Sequence, residues 1–158
     1  ELVTEAQLAR ARELGLTLSM QPNFIGMWSG PGSMNERRLG ASRDRRSNPL
    51  RRVLDAGVPL AFGSDGMPVS PLYGLHSAVN GPYEPQRLTV EEAILAYTSG
   101  GARLTFEEDV KGPLDVGAYA DLVVLDQDPR EAPDRLGDRR VMRLLVAGDT
   151  VFRAEGRG

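Results

Sequence analysis

Cysteine is absent from these 158 residues, histidine occurs once, at His76, and no apolar run approaches the ~20 residues that a membrane-spanning helix needs. Each absence excludes something. Without cysteine there is neither a disulfide framework nor a thiolate metal site, so any metal has to be held by histidine, aspartate or glutamate. No charged-then-apolar leader opens the chain, and with no spanning segment a soluble, cytoplasmic protein without a membrane partner is expected. An excess of basic charge is also missing. A net charge of -3 and a pI near 5.3 argue against a nucleic-acid partner, because phosphate binding needs a clustered basic surface. The arginine-rich run from Arg37 to Arg46 is the exception, and it reads either as a solvated loop or as a carboxylate-binding segment.

What is present is the composition of a globular protein, 41% hydrophobic and 26% charged, with core enough for one domain. Glu1 is not an initiator methionine, and a helix start follows at once. The expectation is therefore a truncated chain whose remaining N-terminal part lies elsewhere in the same polypeptide.

Thr4 with Gln7 three residues on is a capping box, and Gly15 is placed to end the helix, which predicts a helix over 4–14. Leu16, Leu18 and Met20 then alternate with polar residues, the period of a strand, which Pro22 stops. Residues 29–48 are rich in Gly, Ser, Asn and Arg and read as one long loop. Phe24, Ile25, Met27 and Trp28 lead into it and either line a pocket or pack its base. Asn48 as N-cap, Pro49 at the first helical position and Gly57 as terminator predict a short helix, with the strand VPLAF directly after it. Strand, helix, strand in this order is the parallel α/β unit.

Further on, Ser70 and Pro71 open a helix with Leu72, Leu75, His76 and Val79 on one face. Thr89 with Glu92 caps another that runs to Gly100 and Gly101. The end of the chain is predicted to be β: a strand over 121–126, and a hairpin over 141–152 about Gly148-Asp149.

The chemistry is sought at Asp65. Alternation along the strand from Val58 sets Val58, Leu60 and Phe62 on one face and Pro59, Ala61, Gly63 and Asp65 on the other. In a barrel the second face would point inward, bringing Asp65 to the mouth at the C-terminal end of the strand. By itself an Asp after a strand is more often a turn or cap residue than a ligand. Gln21, at the end of its own strand, reads equally as a substrate contact or as packing against the long loop. His76 lies on an apolar stripe and reads as a packed residue, and Asp121 and Asp126 as structural residues flanking a strand.

The string AGVPLAFGSDGMPVSPL resembles the eighth strand and following loop of the amidohydrolase superfamily, in particular the amidohydrolase 3 group of N-substituted formamide deformylase-like enzymes. Three more stretches agree in order and spacing: the strand ending Met20-Gln21-Pro22, the helix QRLTVEEAILAYTSGGA, and KGPLDVGAYADLVVLD. The resemblance implies an α/β fold, the C-terminal part of a (β/α)8 TIM-type barrel followed by strands of a small composite β-sandwich. Residues 1–112 would carry the last strand-helix units and following helices, and residues 113–158 the sandwich strands. It also implies a divalent metal, zinc by preference, as one or two ions, with Asp65 as a metal ligand and as the base that deprotonates water. Substrate contacts are expected at Gln21, Trp28 and Met67. Where this group often has Trp or a small residue after the Asp, Gly66 and Met67 stand, so pocket shape and substrate are left open.

The expected function is metal-dependent hydrolysis of the C–N bond of a small, non-peptide amide. The alternatives are a deaminase on the same barrel and a non-catalytic α/β fragment. A zinc site takes three or four protein ligands, and only Asp65 matches, so these residues alone are expected to be inactive. Assembly as a homodimer is left open. Two strands cut from a barrel would expose unpaired edges, so the 158-residue polypeptide expressed alone should self-associate or bind its complement. Light scattering checks this, and a monodisperse, cooperatively melting monomer would count against truncation.

Overall fold

The computed structural model describes residues 2–66 and 68–155. The first helix, α1 (Glu5–Glu13), begins where the sequence predicts. The Thr4 hydroxyl accepts from the Gln7 amide at 3.3 Å, and the Gln7 side chain accepts from the Thr4 amide at 2.9 Å. Gly15, at φ 65°, turns the chain out of the helix, and α1 buries Leu8 and Ala11.

Strand β1 (Leu18–Met20) pairs in parallel with β2 (Leu60–Phe62), in the register Leu18↔Leu60, Ser19↔Ala61 and Met20↔Phe62. Parallel neighbours require a crossover. It contains α2 (Asn23–Trp28), α3 (Met34–Leu39), α4 (Ala41–Asp44) and α5 (Leu50–Asp55).

The long loop expected over 29–48 is thus partly helical. Ser33 caps α3, its hydroxyl accepting from the Glu36 amide at 3.1 Å. The segment is anchored by buried polar groups rather than by apolar ones, which is why its composition reads as a loop. Asp44 is fully buried, and its Oδ2 accepts from the Gly30 amide at 2.9 Å and from the Tyr83 hydroxyl at 2.6 Å. Much of the arginine-rich run stays on the surface; Arg45 stacks over the Tyr83 ring, 5.2 Å from its centroid. Asn48 is not the cap it resembles. It stands at φ 48°, whereas an N-cap needs an extended backbone, and α5 starts after Pro49 without a side-chain cap.

Helix α6 (Pro71–Asn80) is capped by Ser70, whose hydroxyl accepts from the Tyr73 amide at 3.2 Å. Helix α7 (Val90–Tyr97) carries the Thr89–Glu92 capping box. The single helix expected through Gly100 breaks at Thr98 (φ -104°, ψ -88°) and resumes as α8 (Ser99–Leu104). At Gly100 a Cβ would run into the Leu60 carbonyl and the Ala61 Cα, so glycine lets α8 lie directly on β2. This contact helps to bury Ala61 as thoroughly as Leu60 and Phe62, so the two-faced pattern of the strand does not appear as a difference in burial. The core gathers Leu8, Leu50, Val53, Val58, Ala93 and Leu136 among others.

The last strands, β3 (Leu122–Leu125), β4 (Val141–Val146) and β5 (Asp149–Arg153), form an antiparallel sheet with β4 in the middle. The hairpin turns at Ala147 and Gly148, φ 50° and 88°, one residue earlier than expected. Asp121 takes the Ala147 amide at 2.8 Å and Asp126 the Arg140 amide at 3.0 Å, so both carboxylates tie the sheet together. That backbone bond holds the Asp126 carboxyl below its ordinary range. Val123, Val124, Val151 and Phe152 remain exposed. Among the described residues no helix is long and apolar enough to cross a membrane.

Replacing Asp44 by Ala leaves the buried Gly30 amide without its acceptor, at about 1–3 kcal/mol, and takes the acceptor of the half-buried Tyr83 hydroxyl as well. Denaturant unfolding should show a loss of at least about 2 kcal/mol for Asp44→Ala, and less for Asp44→Asn, which retains an acceptor.

Candidate active site

Parallel strands end on the same edge of their sheet, so the residues that follow β1 and β2 are brought side by side. Gln21 follows Met20 directly and is half-buried. The Gly63 amide donates to the Met20 carbonyl at 3.1 Å, carrying the ladder one residue past β2. The chain then turns through Asp65 at φ 54°, a left-handed conformation that Asp tolerates better than most residues. Asp65 stands three positions beyond the last strand residue, so the turn, not strand alternation, sets the direction of its side chain.

Asp65 is exposed, and among the described residues its carboxylate has no hydrogen-bond or ion-pair partner. A carboxylate so uncommitted, held at the C-terminal edge of parallel strands, is available to a ligand. It does not make a metal site by itself: among the described residues no group of three or more His, Cys, Asp or Glu is placed to hold a metal ion. Asp65 fits as one donor of such a site, and a zinc centre takes at least three from protein.

The other expected residues divide. Gln21 shares the edge with Asp65. Trp28 closes α2 and stacks on Phe24, ring centroids 4.7 Å apart and planes 26° from parallel, which gives it a packing partner of its own. Met67 lies outside the described residues. His76 packs away from this edge; its Nδ1 is 3.3 Å from the Asn80 amide nitrogen, and its ring lies against Gly137.

One residue beside the site went unnoticed in the sequence. Asn23, fully buried at the start of α2, donates from Nδ2 to the carbonyls of Pro68 at 2.7 Å and Ser70 at 3.4 Å. Its Oδ1 accepts from the Tyr97 hydroxyl at 3.3 Å. Gly74 makes room for this junction, since a Cβ there would overlap the Tyr97 hydroxyl and the Asn23 side-chain oxygen. The only local signal is a polar residue inside the otherwise apolar PNFIGMW; its partners lie 45 to 74 residues away along the chain.

Comparison with known proteins gives this edge a context. The model of a family described as the amidohydrolase family matches residues 1–152. A Bacillus subtilis (strain 168) protein named as an amidohydrolase, YtcJ, is 32% identical over 158 residues, covering 92% of this chain and 29% of that protein. N-substituted formamide deformylase of Arthrobacter pascens is 31% identical over 160 residues, 94% of this chain and 29% of that enzyme. A crystal structure of a metal-dependent hydrolase from Pyrococcus furiosus superposes with a TM-score of 0.69 at 34% identity, over 82% of this chain and 27% of that one. The chain thus spans less than a third of the length of these relatives.

Two tyrosines bonded to the buried polar residues of the crossover carry a pH signature. Burial pushes the Tyr97 hydroxyl from 10.0 up to about 12, and burial together with the bond to Asp44 does the same to Tyr83. Below pH 10 the folded and unfolded chains both hold these protons, and stability has its full value. It should be lost as pH rises from 10 through 12, because the unfolded phenols release their protons first. Unfolding measured across that window should show the fall, and Tyr97→Phe should make it shallower.

Proposed function

This chain belongs to the amidohydrolase family, and from that premise we propose that it is the C-terminal part of a metal-dependent hydrolase of non-peptide C–N bonds, with Asp65 as its catalytic carboxylate. The observation that carries the reading is the exposed Asp65 carboxylate in the turn after β2, without a hydrogen-bond or ion-pair partner among the described residues, at the same end of the parallel pair as Gln21. Barrel enzymes hold their chemistry on this edge. The remaining strands of a closed (β/α)8 barrel, and the remaining metal donors, would come from sequence N-terminal to these residues. The relatives' much greater length supports this. Strands from the same source would cover the exposed face of β3 to β5.

A divalent cation, zinc by preference, would lower the pKa of a bound water to about 7. Asp65, one of the residues that would hold the cation, would accept a proton from the attacking water as the water oxygen adds to the amide carbon. The same carboxyl returns the proton to the leaving nitrogen as the C–N bond breaks, giving an amine and a carboxylic acid. Gln21, at the same end of the strand pair, would bound the substrate side of the site. The name of the Arthrobacter relative supports a small N-substituted amide as the substrate class.

The test is Asp65→Asn in the intact enzyme, assayed with N-substituted formamides for release of formate and amine. The substitution keeps the shape and removes the base, so turnover should fall by ~10² or more with folding unchanged. Near-normal turnover would show that the base lies elsewhere, and ammonia released without a carboxylic acid would mean deamination instead.

A further inference from the structure

The segment that carries Asp65 runs from the end of β2 to the start of α6, and most of it is exposed: Asp65, Gly66, Pro68 and Val69 all face solvent. Upstream it is fixed by the bond from the Gly63 amide to Met20. Downstream, among the described residues, the only side chain from outside the segment that hydrogen-bonds to it is that of Asn23. We propose that Asn23 is a positioning residue for Asp65, its buried amide clamping the Pro68 and Ser70 carbonyls so that the turn presents the carboxylate in one place.

Three features make the clamp specific. Asn23 follows Pro22 at the end of β1, so it is anchored to the strand that pairs with the one leading into Asp65. Its orientation is fixed from behind, since the Tyr97 hydroxyl donates to Oδ1 and leaves Nδ2 aimed at the segment. Finally, Gly74 keeps the space clear at the first turns of α6. An exposed turn without such a tie would sample several positions, and small displacements of a reacting group are costly; a misplacement of ~1 Å can lower the rate by ~10². The inference rests on the assignment of Asp65 as the base, and the experiment separates the two.

In the intact enzyme, Asn23→Leu removes both hydrogen-bonding ends at similar volume, and Asn23→Ser serves if the Leu variant does not fold. The expected result is a fall in kcat of ~10- to 100-fold with little change in KM. In the Asp65→Asn background the same substitution should lower the residual rate no further, because a group that acts only through Asp65 has nothing left to position. Amide exchange of residues 64–72 should quicken in the Asn23 variant while the rest of the chain is unchanged. An equal fall in both backgrounds, or unchanged exchange over 64–72, overturns the proposal and makes Asn23 merely structural. An active Asn23 variant beside an inactive Asp65→Asn overturns the positioning role alone. An active Asp65→Asn removes the base assignment and the positioning role together.

Discussion

The parallel pairing of β1 with β2 is the constraint from which the rest of the architecture follows. Two antiparallel strands can be joined by a tight turn, but two parallel ones cannot, so residues 21–59 must leave one end of the pair and return to the other. Everything in that crossover, α2 to α5, has to be packed somewhere. The pairing also brings two chain exits to one edge, and so sets Gln21 beside the segment that carries Asp65.

Apolar packing holds only part of this crossover. Leu50 and Val53 of α5 belong to the core, as does Ile25 of α2, but the stretch between them has few large apolar groups to offer. Two buried polar residues do that work. Asp44 binds the arginine-rich segment to the Gly30 amide and to Tyr83, and Asn23 binds the start of the crossover to the segment after β2 and to Tyr97. Buried polar groups of this kind are stabilising only when their partners are in place, so each fixes one arrangement and penalises the others. The backbone behind the exposed turn with Asp65 is therefore held in place.

The functional reading joins local geometry to family membership. The geometry supplies a carboxylate at the C-terminal edge of parallel strands that has no partner among the described residues. The family model, matching residues 1–152, connects that edge with hydrolytic enzymes. One carboxylate is too few donors for a metal centre, and the chain covers less than a third of its relatives, two facts consistent with a centre assembled from more than these residues.

The sequence by itself determined the elements whose signals are local. The capping boxes at Thr4 and Thr89, the Ser70 cap, the two parallel strands and the C-terminal β-strands were legible because hydroxyl, carboxamide and apolar spacing act within a turn or two. Asp65 was picked out on different grounds, the resemblance of the string around it to a known family. Only the tertiary structure decided what depends on distant partners: α3 and α4 where a loop was expected, the left-handed Asn48 in place of a cap, the break at Thr98, and the buried roles of Asp44 and Asn23. A polar residue looks the same in sequence whether its partner is water or a carbonyl 45 residues away. Burial decides between them, and burial is a property of the assembled fold.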